Sequence, residues 1–559
     1  MLNKLILEAK EIRKAYGERE LFHIEELTVY DGERIGIVGQ NGAGKSTLIH
    51  ILAGEEEPDE GVVRRFGETA EIRQQGVPEE EGEGVYRALF RAQEKREGLS
   101  GGEQTRNRIA AALSAHPQLL LADEPSTDLD EQGLEMLRKQ LAAYRGTLIL
   151  ISHDRTLLRE LCTRIWCLED GKIHDFPGGY DAFTEERKRR REREQFEYDQ
   201  YKTEQKRLKE SAQRMAERAS SVKKAPSRMG NSEARLHKRE ATDAILQLSH
   251  AKRTIQNRME KLEVKEKPTA LPDIRMKLGV TSPIGAKTAL EVKCRKLEAG
   301  GKILLENTAF VLPAGSKTAL TGVNGSGKTT LLSALSGQMP GGTEFEGTVR
   351  FNPQARVGWF DQHHERTLRE DRTVLENVTE ESVHPQTLAR TVLSCLGFAR
   401  EDVFKPLSVL SGGEKAKTAI AKLLLMDLNV LILDEPTNHL DLFTMEALED
   451  LLGGYGGTLL FVSHDAEFVR KVSDRMVRFE GRKLITYEEG IAEQERQSSR
   501  DADGQKQQLS IMTLEMRMAD LSARMAKPRK GDHPEQLNEE YMKLADELRE
   551  MKRGRKDNS

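Results

Sequence analysis

The stretch RIGIVGQNGAGKST (34–47) returns later in the chain as KTALTGVNGSGKTT (317–330). In each, an apolar β-branched run leads into a glycine-rich turn and then a helical pattern, TLIHILAG or TLLSALSG. That strand, loop and helix order makes GxxxxGK[ST] a phosphate-binding loop. Gly39, Gly42 and Gly44, with Gly322, Gly325 and Gly327, let backbone N–H groups wrap phosphates at a helix N-terminus. Gln40, Asn41, Ala43 and Thr47 fill out the first loop, and Val323, Asn324, Ser326 and Thr330 the second. Lys45 and Lys328 are placed to bridge β- and γ-phosphates, and the Ser46 and Thr329 hydroxyls to bind Mg²⁺. ATP and Mg²⁺ are the expected cofactors.

Three more blocks repeat in the same order. LSGGEQTRNRIAAAL (99–113) recurs as LSGGEKAKTAIAKLL (410–424), LLLADEPSTDLD (119–130) as LILDEPTNHLD (431–441), and GTLILISHD (146–154) as GTLLFVSHD (457–465). Two in-register phosphate loops within a duplication are not a chance match. The expected fold is therefore α/β: two tandem P-loop cassettes, 1–182 and 286–488, with a charged segment between them and another after.

The downstream blocks supply the rest of the site. Asp123 and Asp434 end hydrophobic strands, where a carboxylate can hold Mg²⁺. Glu124 and Glu435 follow directly; neighbouring side chains on a strand end diverge, so the second carboxylate can polarise an attacking water. His153 and His464 follow further buried strands, where an imidazole can touch a γ-phosphate. Gln74, in EIRQ beside Gln75, and Gln362, in WFDQ, can reach metal and water.

LSGGE resembles the signature of ATP-binding-cassette (ABC) proteins. The resemblance implies that the signature of one cassette closes over the nucleotide of the other. Ser411, Gly412 and Gly413 would complete the Lys45 site, and Ser100, Gly101 and Gly102 the Lys328 site, so that two ATP molecules join the halves of a monomer. Tyr16 stands where that family places an aromatic under adenine; the second repeat offers Ala299. The first repeat has Asp128 where the second has His439. It is also shorter, with 60 positions from Gly39 to Leu99 against 88 from Gly322 to Leu410, so its helical subdomain is expected to be trimmed.

What lies between the cassettes narrows the class. Residues 183–268 read as a helical hairpin: Tyr198, Tyr201, Leu208, Ala212 and Met215 form one seam with Gln205 in it, and Ile245, Leu248, Ile255, Met259 and Leu262 a returning seam broken by Lys252. Pro226 and Gly230 mark a tip at about 221–232. A first arm of some 38 residues would reach roughly 55 Å. From Arg187 to Lys267 there are 24 Lys and Arg against 13 Asp and Glu, while the whole chain carries −5. Such a local excess suits a polyanion; Arg214, Arg218, Lys223, Lys224, Arg228, Arg235, Lys238 and Arg239 crowd the tip, where phosphates of structured RNA could be met.

This architecture, with GGYDAF leading into the linker, resembles the ABC-F family of ribosome-associated ATPases. The resemblance implies binding of a 70S ribosome at the E site, with the linker directed at 23S rRNA, the P-site tRNA and the peptidyl-transferase centre. The APSRMGNSEARLHK tip, the short first cassette and the C-terminal extension look most like the Vml/Vga type of ribosome-protection proteins, which act against lincosamides, streptogramins A and pleuromutilins. A housekeeping factor that rescues stalled ribosomes is the alternative within the family.

The tail, 490–559, shows Ile511, Leu514, Met518, Leu521 and Met525, a break at 528–534, then Leu537, Tyr541, Leu544, Leu548 and Met551, and is expected to form a second helical hairpin. Composition excludes other classes. The 559 residues are 32 % charged, and no apolar run approaches the ~18 residues of a membrane span, so a transporter's membrane domain is absent from the sequence. The N-terminus lacks a secretory pattern. Cys162, Cys167, Cys294 and Cys395 have no CxxC spacing, which disfavours the zinc insertions of DNA-repair cassettes and fits small core residues in a reducing cytoplasm.

Overall fold

The computed structural model of this chain describes residues 4–17, 19–73, 101–127, 129, 131–221, 246–247, 249–255, 257–259, 282–323, 325–361, 367–438, 440–488 and 542. The chain divides into two compact units. One comprises Met1–Thr281, His363–Asp427 and Thr437–Tyr455; the other comprises Ser282–Gln362, Leu428–Pro436 and Gly456–Ser559. The helical part of the second repeat thus belongs to the unit built on the first.

The first repeat runs β1 (Leu5–Tyr16), β2 (Arg19–Tyr30), β3 (Arg34–Gly39), α1 (Lys45–Ala53), β4 (Glu60–Arg65), β5 (Thr69–Ile72) and α2 (Gly101–Ser114). It continues through β6 (Leu119–Asp123), α3 (Glu131–Ala143), β7 (Thr147–Ile151), α4 (Arg155–Leu161), β8 (Arg164–Glu169), β9 (Lys172–Pro177) and α5 (Gly179–Ser221). A six-stranded sheet has the order β5-β6-β7-β3-β8-β9, parallel except at β8–β9. Strands buried on both faces read as unbroken apolar runs, here LLLAD in β6 and TLILI in β7. An antiparallel sheet β2-β1-β4 packs Phe22, Ile12 and Ile24 into the same core as Ile37, Leu48 and Trp166.

The second repeat reproduces this order. Its elements are β10 (Thr288–Ala299), β11 (Lys302–Pro313), β12 (Lys317–Thr321), α6 (Lys328–Ser336), β13 (Thr343–Phe351), β14 (Val357–Phe360), α7 (Val374–Thr379) and α8 (Gln386–Cys395). Then follow α9 (Gly412–Leu425), β15 (Val430–Asp434), α10 (Leu442–Gly454), β16 (Thr458–Val462), α11 (Ala466–Val472), β17 (Arg475–Glu480) and β18 (Lys483–Tyr487). The sheets are β14-β15-β16-β12-β17-β18 and β11-β10-β13. Helices α7 to α10 lie within the first unit. Among the described residues, no helix is long and apolar enough to cross a membrane. All four cysteines are free thiols; Cys162, Cys167 and Cys294 are buried, and Cys395 is partly buried.

Helix α5 is longer than its seam implied: 43 residues beginning at Gly179. Its length corresponds to roughly 65 Å of helix. The difference lies at the root, where Tyr180 and Phe183 are buried and Phe183 meets Phe176 edge-on at 5.1 Å between ring centres. The first turn of the arm is therefore also part of the cassette core. Further out, Leu208 is buried, while Tyr198, Tyr201, Gln205, Ala212 and Met215 are partly shielded, as the seam predicts. The described residues between 246 and 259 are helical, with Ala251, Lys252, Ile255 and Met259 shielded, and Arg258 lies 3.6 Å from Glu204 of α5. Residues 222–245, which include all of the expected tip but Ser221, the first-repeat segment 74–100, Asp128, His439 and, apart from Met542, the tail 490–559 lie outside the described residues.

Phe183→Ala removes a fully buried ring at the arm's root and should cost about 3–5 kcal/mol. Thermal unfolding followed by circular dichroism should show a lower first transition; an unchanged one would separate the arm's first turn from the cassette core.

Candidate functional site

The first site grows from the end of β3. Gly39 leaves the strand, Gly42 and Gly44 adopt φ of 75° and 99°, and α1 starts at Lys45 with no side chain capping its N-terminal N–H groups. A Cβ on Gly44 would also press on the Phe22 ring at 3.0 Å, so the loop requires glycine there on two counts. Lys45 is buried, and its ammonium donates to Gly39 O at 2.8 Å and Gln40 O at 3.0 Å. Burial lowers the Lys45 pKa, opposed by Asp441, Glu124 and Asp123. The second site repeats the device. Gly327, at φ 103°, precedes α6, and Lys328 donates to Gly322 O at 2.9 Å and Val323 O at 3.3 Å.

The acidic pairs close each site. Asp123 hydrogen-bonds the Ser46 hydroxyl, and Asp434 that of Thr329; burial raises both carboxyl pKa values against those bonds. Glu124 and Glu435 do not diverge through the pleat of a strand, as the sequence led us to expect. The strands end at Asp123 and Asp434, and the glutamates turn left-handed, with φ 47° and 49°. Their N–H groups are held by Ile151 O at 3.0 Å and Val462 O at 3.1 Å. That backbone is costly for a side chain with a Cβ, so its recurrence in both repeats marks a position over-determined by its surroundings.

Burial pushes the Glu124 carboxyl up to about 8 against the pull of Lys45, and the Glu435 carboxyl up to about 7. His153 Nε2 stands 3.4 Å from Glu124 Oε1, and His464 Nε2 3.2 Å from Glu435 Oε1. Burial, reinforced by Lys45 and Lys328, holds both imidazoles below their usual pKa and therefore neutral. Among the described residues, Glu124 Oε1, Asp434 Oδ1, both Glu435 carboxylate oxygens and the Ser326 hydroxyl are buried without a hydrogen-bond partner. Hard oxygen donors left unsatisfied beside a buried lysine fit a hydrated Mg²⁺ and polyphosphate.

Of the other expected residues, Tyr16 leaves its ring exposed and donates to Glu56 Oε1 at 2.7 Å. Ser411 caps α9 in a capping box with Glu414, its hydroxyl 2.7 Å from the carboxylate; Gly412 and Gly413 open that helix, as Gly101 and Gly102 open α2. Arg214 and Arg218 are exposed on α5. Gln74, Ser100, Asn324, Gln362, Lys223, Lys224, Arg228, Arg235, Lys238 and Arg239 lie outside the described residues.

One residue of the first site was overlooked in the sequence. Asp441, from the second repeat, accepts the Asn41 backbone N–H of the first phosphate loop at 3.3 Å and the Lys417 ammonium of α9 at 3.3 Å. Although burial raises its pKa, Lys417 and the Thr444 and Asn41 N–H groups hold it below the usual range. The repeated aspartate in DLD and HLD was the available signal. Through Asp441, α9 and the start of α10 are tied to the Lys45 loop.

Two phosphate loops with matching acidic pairs and histidines on duplicated sheets define a tandem ABC ATPase. The ABC transporter family model matches residues 22–87, 84–127 and 305–438, and a second model of that description matches 166–249. The chain is 35 % identical over 496 residues to the ribosome protection protein VmlR of Bacillus subtilis, spanning 85 % of this chain and 86 % of that one. It is 32 % identical over 483 residues to the erythromycin resistance ATP-binding protein MsrA of Staphylococcus epidermidis, spanning 83 % and 95 %. The solved RNase-L Inhibitor shares the fold at a TM-score of 0.56 and 20 % identity, over 86 % of this chain and 92 % of that one. The chain belongs to the ABC-F family of ATP-hydrolysing cassette proteins.

Gly44→Ala should weaken ATP binding at least tenfold, since it both strains the loop and crowds Phe22. Titration with a fluorescent ATP analogue reads this directly; undiminished affinity at the first site would remove the loop geometry from its recognition.

Proposed function

We propose that this chain engages the ribosome in its ATP state and relieves drug inhibition at the peptidyl-transferase centre, acting in the cytoplasm as a monomer. The observation carrying this reading is the joining of two ATPase sites to a 43-residue helical arm. Its relatives, named for ribosome protection and erythromycin resistance, support it. In this reading the protein occupies the E site. The arm's tip meets 23S rRNA and the P-site tRNA through Arg214, Arg218, Lys223, Lys224, Arg228, Arg235, Lys238 and Arg239, and the drugs relieved are lincosamides, streptogramins A and pleuromutilins. Phosphate contacts supply most of the affinity, so salt should weaken it steeply.

At each site the loop glycines and Lys45 or Lys328 bind the polyphosphate. Ser46 with Asp123 and Gln74, and Thr329 with Asp434 and Gln362, would hold Mg²⁺, which supplies positive charge over the phosphates. Glu124 and Glu435 orient the attacking water and accept its proton as oxygen adds to the γ-phosphorus and ADP leaves. His153 and His464, kept neutral, offer an N–H to the γ-phosphate. Ser411, Gly412 and Gly413, and Ser100, Gly101 and Gly102, close over the opposite nucleotide, with Tyr16 against the first adenine.

Glu124→Gln with Glu435→Gln should abolish turnover, retain ATP binding and leave the protein on ribosomes during sedimentation with ATP. Normal hydrolysis by that variant would remove both glutamates from the mechanism. Lys223, Lys224 and Arg228 changed together to Ala should erase drug protection while basal hydrolysis stays at the wild-type rate. Expression of the full chain in a susceptible Gram-positive host tests the role itself. Unchanged inhibitory concentrations for all three drug classes would favour a housekeeping factor instead.

A further inference from the structure

Helix α10 touches the first nucleotide site at one end and the arm along its side. Its N-cap, Asp441, holds the Asn41 N–H of the first phosphate loop, as described above. Further along, Arg187 of α5 lies with its guanidinium 3.6 Å from the centre of the Phe443 ring and its Nη1 2.9 Å from Glu446 Oε2. A guanidinium stacked on a ring and paired with a carboxylate is fixed in both plane and direction, which a lysine cannot reproduce. One turn beyond, Glu449 Oε1 accepts from Arg155 Nη1 at 2.6 Å, with side chains 4 % and 2 % exposed. Arg155 opens α4 immediately after His153 and Asp154. Residues 443, 446 and 449 are spaced by three, so they follow one another along the helix.

The buried ion pair is one-sided. Aligning the SHD blocks and the DLD and HLD blocks places Ala466 at the position of Arg155 and Arg138 at that of Glu449. Alanine offers no charge, and Arg138 pairs with Glu160 at 2.9 Å within its own repeat. The duplication therefore carries no second copy of the Arg155–Glu449 bond. Arg187 lies in the arm, outside the nucleotide-binding motifs, and its contacts with Glu446 and Phe443 are both made to α10.

We propose that Arg187 is a positioning residue that ties the arm, through α10, to the ATP site built on Lys45, so that ribosome engagement and ATP binding at that site strengthen each other. The ribosome half of this statement rests on the function proposed above. Coupling of this kind is reciprocal: whatever factor ribosomes add to ATP affinity, ATP adds to ribosome affinity. It works through a rigid lever, because an ion pair, a stacked ring and a buried salt bridge on one helix leave the arm's base and the phosphate loop little independent motion.

The full chain, as wild type, Arg187→Met and Arg187→Lys, decides it. All three should hydrolyse ATP alone with the same kcat. Ribosomes should lower the wild-type KM for ATP by about tenfold, a usual size for coupling between sites; Arg187→Met should lose that shift and Arg187→Lys recover part of it. A full shift in Arg187→Met overturns the proposal. A second measurement needs no ribosome. A non-hydrolysable ATP analogue should protect the wild-type arm from trypsin at Arg214 and Arg218 and fail to protect Arg187→Met; equal protection in both also overturns it. If the wild-type KM ignores ribosomes yet the protection pattern holds, the ribosome reading fails and the link between arm and site stands.

Discussion

A buried ammonium at the head of a short helix is the constraint around which each half of this protein is arranged. Lys45 and Lys328 give up water and receive two loop carbonyls each, which satisfies hydrogen bonds but not charge. Carboxylates must then be drawn in, and Asp123, Glu124 and Asp441 bear on Lys45 while Asp434 and Glu435 bear on Lys328. Burial raises the pKa values of Asp123, Glu124, Asp434 and Glu435, while Lys417 and two N–H groups hold Asp441 below the usual range, so each cluster is stable only as a balanced set. Such a site responds strongly to a polyanion and a divalent cation, which alter the balance of charge that the protein alone provides.

The same balance explains why backbone strain is tolerated beside it. A left-handed glutamate costs of order 1–3 kcal/mol, and the duplication keeps two. Each is locked by a bond from its N–H to the neighbouring strand and stands within 3.4 Å of a histidine nitrogen. The turn carries the second carboxylate off the strand's own alternation, so metal-facing and water-facing roles can fall to adjacent residues.

The two halves share one fold but differ in their connections. The first unit gathers the first cassette, the base of the arm and α7 to α10 of the second repeat, and it is knitted by Asp441, Arg155–Glu449 and Arg187–Glu446. A buried ion pair adds little to stability over an apolar contact, yet breaking one costs about 3–5 kcal/mol. Bonds of that kind serve better to fix an orientation than to hold a domain together. The Arg155–Glu449 pair has no counterpart at the equivalent positions, Ala466 and Arg138, and this gives a duplicated chain a direction.

Much of this was legible in order along the chain, because local chemistry announces itself locally. The phosphate loops, the acidic pairs at strand ends, the histidines and the duplicated α/β fold follow from spacing and periodicity, and the seam on α5 follows from residues three and four apart. Tertiary structure alone decided the rest. The left-handed turn at Glu124 depends on a neighbouring strand, and the arm's extra first turn depends on Phe176 lying beneath Phe183. Asp441, Arg155, Glu449 and Arg187 acquire meaning only when segments hundreds of residues apart are packed together. Periodicity reports which face of an element is buried; it carries no information about which distant charge waits on the other side.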